Sequence, residues 1–251
     1  MSIQQEKLKA IADKIREKTG ETEPIKPNDF VNKIDDVYES GKKDILGELT
    51  SLYGFFMYNR NWGLYDYLFK QNLDISRINI MQYTFQNNTN ITEFTAPESM
   101  NVTAIHGIFK GCSNLTKVSG LEKGISNGGV VLTELFADCT SLRDVGTLNF
   151  ENVQYANNTF LNCSKLEEVR ITGTITCKYT TGGLYLGACT LLSRESIESI
   201  VNHLSDTIGM TLTLSSTAVT NAFGSTTATE WIELITPKSN QYNGLWTISL
   251  V

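Results

Sequence analysis

The sequence has few of the residues on which catalysis usually depends. Its 251 residues include only two histidines, His106 and His203, and we interpret each as a surface or turn residue. The chain contains no G-x-S-x-G turn, H-E-x-x-H helix, phosphate-binding loop or G-x-G-x-x-G segment. Asp138 and Asp144 leave a glycosidase-like carboxylate pair open, because sequence alone does not give their separation. We expect a non-enzymatic protein that needs no cofactor and no metal.

Long apolar runs and an excess of positive charge are also missing. No stretch reaches the roughly 18 apolar residues of a membrane span, so none is expected. The 21 Lys and Arg are outnumbered by 27 Asp and Glu, giving a formal net charge of -6, and the basic residues form no cluster. Because phosphate contacts need concentrated Lys and Arg, we expect no nucleic-acid partner. The charged segment MSIQQEKLKAIADKIREK is also unlike a secretory signal.

The five cysteines are too widely spaced for a CxxC metal site. The closest two, Cys177 and Cys189, are 12 residues apart, and the number is odd. Neither feature is typical of the dense disulfide framework of a small secreted domain. We therefore expect reduced thiols.

One ten-residue pattern recurs along the middle of the chain. It reads FKGCSNLTKV from Phe109, FADCTSLRDV from Phe136 and FLNCSKLEEV from Phe160, with a less regular copy from Phe85 and a degraded one from Leu186. Successive copies are separated by 24, 27, 24 and 26 residues. A period of this length predicts a solenoid, in which each copy forms one coil and equivalent positions stack.

Four positions of the pattern are predicted to face the core. They are the aromatic position, the position three residues later (Asn88 and then four cysteines), and the apolar positions six and nine residues later. A stacked cysteine packs as a small apolar residue with a weak S–H donor, although a disulfide or redox role and a metal site remain alternatives. Each coil is expected to hold a short strand near its last two core positions, as in LTKVSG and LEEVRITGTI.

The pattern F-x-x-C-[ST]-x-L-x-x-V at this spacing resembles the BspA-like leucine-rich repeats of bacterial surface proteins and phage proteins. The resemblance implies an α/β fold, a strand-dominated leucine-rich-repeat solenoid, which we assign to residues 81–192. Residues 193–251 are expected to form a C-terminal cap of helices and strands. In that cap, SRESIESIVNHL begins with a serine and places its apolar residues on one helical face.

Residues 41–80 are rich in aromatic side chains, with eight between Tyr53 and Phe69. One interpretation is an N-terminal cap that buries these rings on the first coil. The other is an exposed recognition platform, since tyrosine and tryptophan combine apolar area with a polar edge. The candidate binding residues are Tyr53, Tyr58, Trp62 and Tyr65.

Residues 1–40 differ from the rest in composition and predict a helical hairpin. The first helix ends at Gly20, Pro24 and Pro27 lie in the linker, and the second helix ends near Gly41. A hairpin this small must bury its apolar faces on the solenoid cap or on another chain, so we interpret it as a docking module. Its candidate docking residues are Leu8, Ile11, Ile15, Phe30, Ile34 and Val37.

The segment IADKIREKTGETEPIKPNDFVNKIDDVYESGKK resembles the N-terminal module of phage and prophage proteins in which it precedes similar repeats. This resemblance implies a virion structural or adhesive protein of a tail fibre or baseplate. Such a protein would dock through its hairpin onto other virion proteins and present the solenoid to a bacterial receptor or a neighbouring subunit. We also expect a homo-oligomer. The alternative is a bacterial surface adhesin module that binds host protein.

Overall fold

The computed structural model describes residues 12–13, 15–17, 51–59, 65, 69, 75–124, 130–177, 183–206, 209–242 and 244–251. Within them the strands are β1 (Glu93–Thr95), β2 (Lys117–Ser119), β3 (Val130–Val131), β4 (Asp144–Asn149), β5 (Val153–Tyr155), β6 (Glu168–Thr172), β7 (Leu184–Leu186), β8 (Thr211–Leu214) and β9 (Thr247–Leu250). The α-helices are α1 (Leu121–Gly124), α2 (Arg194–Asn202), α3 (Ser216–Phe223) and α4 (Thr229–Ile235), and short 3-10 helices span Met57–Asn59 and Asn240–Tyr242. None of the helices in these ranges is long and apolar enough to cross a membrane.

Parallel strands from successive coils stack into one sheet, in the order β1-β2-β4-β6. Phe94 pairs with Val118 across β1 and β2, and Asp144 pairs with Glu168 across β4 and β6. These registers place the apolar residue of the ninth position above its equivalent in the next coil. The predicted strand-dominated solenoid is therefore confirmed, with four coil strands in this sheet and a few helices.

The aromatic position forms a continuous column of stacked rings. Neighbouring ring centroids from Phe56 through Phe85, Phe109 and Phe136 to Phe160 are 5.3 to 5.9 Å apart, with interplanar angles of 4 to 18°. Phe56 begins a coil that the sequence pattern missed, because this copy lies 29 residues before Phe85 and lacks the cysteine.

The cysteine position forms a hydrogen-bonded ladder inside the solenoid. The thiol of Cys112 donates to the carbonyl of Phe85, 2.9 Å away, and Cys139, Cys163 and Cys189 each donate to the phenylalanine carbonyl of the preceding coil. All five cysteine side chains are buried. No group of three or more potential metal ligands occurs among the residues that the structure describes. The structure thus places the cysteines of the repeat in a packed, hydrogen-bonded column, as predicted.

Asn88 takes the place of the cysteine in its coil and makes the equivalent hydrogen bond. Its side-chain Nδ2 donates to the carbonyl of Phe56, 2.8 Å away, and its Oδ1 also accepts from the backbone N–H of Asn90. The position therefore selects a short side chain that donates to the coil below, and asparagine meets this requirement as cysteine does.

Each coil also turns twice through left-handed backbone. The residue two before the phenylalanine has a positive φ in five successive coils, at Gly54, Tyr83, Gly107, Glu134 and Asn158. The residue two after it does too, at Tyr58, Asn87, Gly111, Asp138 and Asn162. Glycine, asparagine and aspartate adopt this conformation at low cost, which explains their recurrence here.

The C-terminal end of the β1-β2-β4-β6 sheet is closed by α2. Ser193 caps this helix by accepting from the N–H of Ser196, as predicted from the sequence. The hydroxyl oxygens of Ser196 and Ser199 accept hydrogen bonds from the N–H groups of Val169 and Ile171 on β6, at 2.9 and 2.8 Å. These two N–H groups of the edge strand β6 thus donate to side chains and are not available to pair with a strand of another molecule.

A second parallel sheet, with one strand before α2 and two after it, runs in the order β7-β8-β9, and α2, α3 and α4 pack against one another. The helices and strands expected within residues 193–251 are present, as α2, β8, α4 and β9. Helix α3, Ser216–Phe223, was not predicted from the sequence.

At the other end of the first sheet, two aromatic residues cover β1. Tyr65 is buried, and its hydroxyl donates to the carbonyl of Glu93 at 3.1 Å. The ring of Phe69 lies 5.4 Å from that of Phe94. Ile15 also belongs to the buried core. Tyr65 and Phe69 thus cover the edge of β1, while the N-terminal cap and the domain boundaries at residues 40, 80 and 192 stay predictions.

Candidate interaction surface

The outer face of the β1-β2-β4-β6 sheet is polar and held together by pairs between coils. Lys117 Nζ lies 3.3 Å from Asp144 Oδ2, and Arg143 pairs with Glu167. The hydroxyls of Thr95 and Ser119 are 3.1 Å apart. These six polar side chains therefore already have partners on adjacent coils.

A second long surface lies on the turn side of the coils and has a different character. We call it the turn row and define it by side chains that stand two to five residues before the stacked phenylalanines: Tyr53, Ile80, Tyr83, His106, Glu134 and Tyr155. Tyr53, Ile80 and Tyr155 are 42%, 36% and 37% exposed, while the other three are half-buried. The row crosses five successive coils.

Contacts between coils join the middle of the turn row into one cluster. The rings of Tyr53 and Tyr83 meet edge to face at 5.7 Å, and those of Tyr83 and His106 at 4.9 Å. His106 Nε2 lies 3.5 Å from Glu134 Oε2, and Lys110 Nζ lies 2.7 Å from Glu134 Oε1. One carboxylate thus links an imidazole and an ammonium group from the neighbouring coil.

The backbone makes room for this cluster at Gly107. A Cβ atom on Gly107 would lie only 2.7 Å from Cε1 of Tyr83, so the tyrosine ring rests where any larger residue would have a side chain. Tyr83 and Glu134 themselves hold φ angles of 55° and 54°. That conformation is unfavourable for residues of their size.

The surroundings of Tyr83 keep its hydroxyl protonated. Burial raises the pKa of this phenol, and the negative charge of Glu134 and the neighbouring Tyr53 raise it further, against an opposing effect of Lys110. The hydroxyl therefore remains a hydrogen-bond donor at any ordinary pH.

The structure divides the aromatic cluster that the sequence singled out. Tyr53 and Tyr58 are exposed, at 42% and 56%, as a recognition platform requires. Tyr65 is buried at 4% exposure and is a core residue, which removes it from such a platform. Trp62 lies outside the described residues. The burial of Tyr65 fits the cap interpretation, and the platform interpretation stays a prediction for Tyr53 and Tyr58.

Among the candidate docking residues, the structure describes Ile15. Its side chain is fully buried in the core of this chain, so it is occupied within the fold and does not face another protein. The other five, Leu8, Ile11, Phe30, Ile34 and Val37, lie outside the described residues. Their docking role stays a prediction.

The residues that left an enzymatic interpretation open make other contacts. Asp138 accepts a hydrogen bond from Asn162, whereas Asp144 pairs with Lys117 and accepts from the N–H of Gly146. His203 follows α2 and its Nδ1 lies 2.7 Å from the carbonyl of Ser199. His106 lies in a turn, where the sequence placed it.

Sequence reasoning missed Ile80, Tyr83, His106 and Glu134 as neighbours on one surface. The available signal was the position two before the phenylalanine, which is glycine or asparagine in three of the five coils and Tyr83 or Glu134 in the other two. A large side chain at a position whose positive φ favours glycine indicates that the side chain makes contacts that offset the backbone strain.

Comparison with known proteins supports the assignment of the repeat but identifies no individual related protein. Residues 64–181 match the family model for the BspA type Leucine rich repeat region, in six copies. No curated protein matches the chain, and no solved structure matches it. Repeats of this family suggest protein–protein interaction or an adhesin-like role. The central coils thus form a solenoid, and residues 64–181 of the chain are similar to BspA-type leucine-rich repeats.

Proposed function

We propose that this chain is a non-enzymatic binding protein whose leucine-rich-repeat solenoid holds another protein. The observation that carries the proposal is the match of residues 64–181 to BspA-type repeats, together with an aromatic surface displayed along those repeats. Tyrosine-rich surfaces on rigid scaffolds are typical of protein interfaces. Because stacked coils hold such a surface rigid before binding, less conformational entropy is lost when a partner binds.

The finer proposal is that the protein is a structural or adhesive component of a phage tail fibre or baseplate. It is supported by the resemblance of the N-terminal segment to modules of phage and prophage proteins. In this setting residues 1–40 attach the subunit to other virion proteins, and the solenoid contacts a bacterial receptor or a neighbouring subunit of a homo-oligomer. The protein is then assembled in the host cytoplasm and located in the virion.

Immunoelectron microscopy of purified particles that carry an epitope tag on this chain tests the virion setting. We expect label at the tail or baseplate. Particles without label, with the protein recovered from cell-wall fractions of a phage-free culture, would favour the bacterial adhesin instead. Purified protein should also release no reducing sugar from cell-wall glycan, and release of sugar would contradict the non-enzymatic proposal.

Attachment through the hairpin needs a test that leaves the fold intact. Deleting residues 1–40 would remove Ile15 from the core and so confuse loss of fold with loss of docking. Replacing Phe30 and Ile34 by serine changes predicted docking residues and leaves Ile15 in place, and Ile15→Ala serves as the control for damage to the core. We expect the first variant to melt normally and to be absent from particles. Normal incorporation would contradict attachment through this helix.

A further inference from the structure

The two long surfaces of the solenoid differ in what they offer a partner. Three of the exposed large apolar or aromatic side chains, Tyr53, Ile80 and Tyr155, belong to the turn row. Over the part of the chain that the structure describes, the outward positions of β1, β2, β4 and β6 carry no such side chain. Exposed apolar area that lies together on one side of a protein usually marks an interaction site.

The sheet face is unsuited to form the centre of an interface. Its Lys117–Asp144 and Arg143–Glu167 pairs connect neighbouring coils. A partner that covered them would have to remove water from charged groups that it does not itself neutralise, which costs free energy. Interface centres are depleted in charged residues for this reason.

The turn row is nearly neutral, and this property selects the chemistry of its partner. Glu134 is paired with Lys110, which lies beside the row with its Nζ 2.7 Å away, and the other five members of the row are aromatic, aliphatic or imidazole side chains. Complementary surfaces match in electrostatic potential, so a polyanion or polycation gains little here. A partner with an uncharged apolar centre fits best.

The backbone of the row adds an independent argument. Tyr83 and Glu134 stand in left-handed conformations that glycine or asparagine fills in other coils. Strained conformations of this kind persist mainly where the side chain serves a function. Both side chains contact His106, so the two residues with strained backbone belong to one cluster that spans three coils.

We propose that the turn row, and not the strand sheet, is the surface by which the solenoid binds, and that its partner is a protein with an uncharged patch of apolar and aromatic side chains. This rests on the proposed protein-binding function and specifies its location and chemistry.

Site-specific photo-crosslinking in the full-length chain tests this assignment. The photoreactive amino acid benzoylphenylalanine replaces Tyr53 on the turn row in one sample and Thr95 on the sheet face in the matched control, both exposed positions. Irradiation of producing cells and of particles purified from them is followed by mass spectrometry of the adducts. We expect a protein adduct from position 53 and none from position 95.

The other outcomes separate the two proposals. A protein adduct from position 95, alone or together with one from position 53, overturns the choice of face and leaves protein binding standing. A glycan adduct from position 53 overturns the protein partner. Absence of protein adducts from both positions contradicts protein binding itself and the inference with it.

Affinity measurements with the cross-linked protein give a second readout. Tyr53→Ser and Ile80→Thr each remove exposed apolar surface, and loss of a central interface residue weakens binding by about 30-fold. Thr95→Ala is the matched change on the sheet face and should alter the Kd less than about twofold. Melting curves confirm that each variant folds. Equal effects on both faces would overturn the assignment.

Discussion

At the scale of single residues, the solenoid depends on donors that reach the coil below. The thiols of Cys112 and Cys139 and the amide of Asn88 all donate to the carbonyl of a stacked phenylalanine. Burial raises the pKa of the thiols, to about 12 for Cys112 and Cys189 and well above its usual value for Cys139 and Cys163. The column therefore consists of neutral thiols.

The ladder should make stability fall at alkaline pH. Unfolded thiols lose their protons near the ordinary value of 9.0, whereas Cys112 and Cys189 keep theirs up to about 12. The unfolded chain then binds fewer protons, so the free energy of unfolding decreases between these values by about 1.4 kcal/mol per pH unit for each thiol. Urea titrations of the native protein and of Cys112→Val from pH 8 to 11 measure the slope. The free energy of unfolding of Cys112→Val should decrease less steeply with pH, by the contribution of one thiol. Identical slopes for the two proteins would contradict this account.

A second prediction concerns the contact between Gly107 and Tyr83. Gly107→Ala forces a side chain into left-handed backbone, which costs about 1 kcal/mol, and also pushes against the Tyr83 ring. Gly224→Ala is the control, because Gly224 has a φ of 85° but no atom within 4 Å of an added Cβ. We expect Gly107→Ala to lower the free energy of unfolding more than the control does. Equal losses would show that the Tyr83 ring yields freely.

The turn residues also show where prediction from sequence stops. The core columns, the strands near Val118 and Val169 and the Ser193 cap follow from periodicity and capping chemistry, and all were predicted correctly. Tyr83 and Glu134 were missed because nothing in either residue type signals a positive φ. Their meeting at His106 depends on coil register, which repeat spacing does not supply for side chains outside the core.

At the scale of elements, side chains close both edges of the β1-β2-β4-β6 sheet. Tyr65 donates to a carbonyl of β1, and Ser196 and Ser199 accept from N–H groups of β6. The sequence predicted helix α2 but not this use of its serines. Helix α3 was missed because STAVTNAF is rich in residues of modest helix propensity, and burial of Ala218 and Val219 holds it in place.

Removing the hydroxyl of Ser199, which accepts from the edge strand β6, should loosen that strand. Ser199→Ala leaves the N–H of Ile171 without its acceptor, which costs about 1 to 3 kcal/mol in a part-buried site. Faster amide exchange at Ile171 and a lower urea midpoint are the expected results. Ser199→Thr keeps the hydroxyl and should stay close to the native protein. Unchanged exchange in the alanine variant would mean that water replaces the serine.

At the scale of the whole molecule, the stacked rings couple each coil to the next. Phe109 lies between Phe85 and Phe136 and also meets Phe94, whereas Phe160 stacks on Phe136 and is followed by Leu186 at the same position of the next coil. In a solenoid, stability is close to a sum over coils and their interfaces with immediate neighbours. Interior and terminal members of the column therefore contribute differently.

Replacing one ring by leucine should cost more in the middle of the column than at its end. Aromatic pairs contribute about 0.5 to 1.5 kcal/mol each beyond buried area, and Phe109→Leu breaks more of them than Phe160→Leu. We expect the free energy of unfolding of Phe109→Leu to lie at least about 1 kcal/mol below that of Phe160→Leu in urea titrations. The reverse order would show that ring pairing does not set the coupling between coils.

The two sheet caps have a consequence for the length of the protein. Tyr65 meets a backbone carbonyl of β1, and Ser196 and Ser199 meet backbone N–H groups of β6, so neither cap recognises a side chain of the coil it covers in these bonds. Every coil offers the same backbone groups. A whole repeat can therefore be gained or lost between the caps with both ends still closed, and each one changes the reach of the protein by about 4.8 Å, the distance between neighbouring strands.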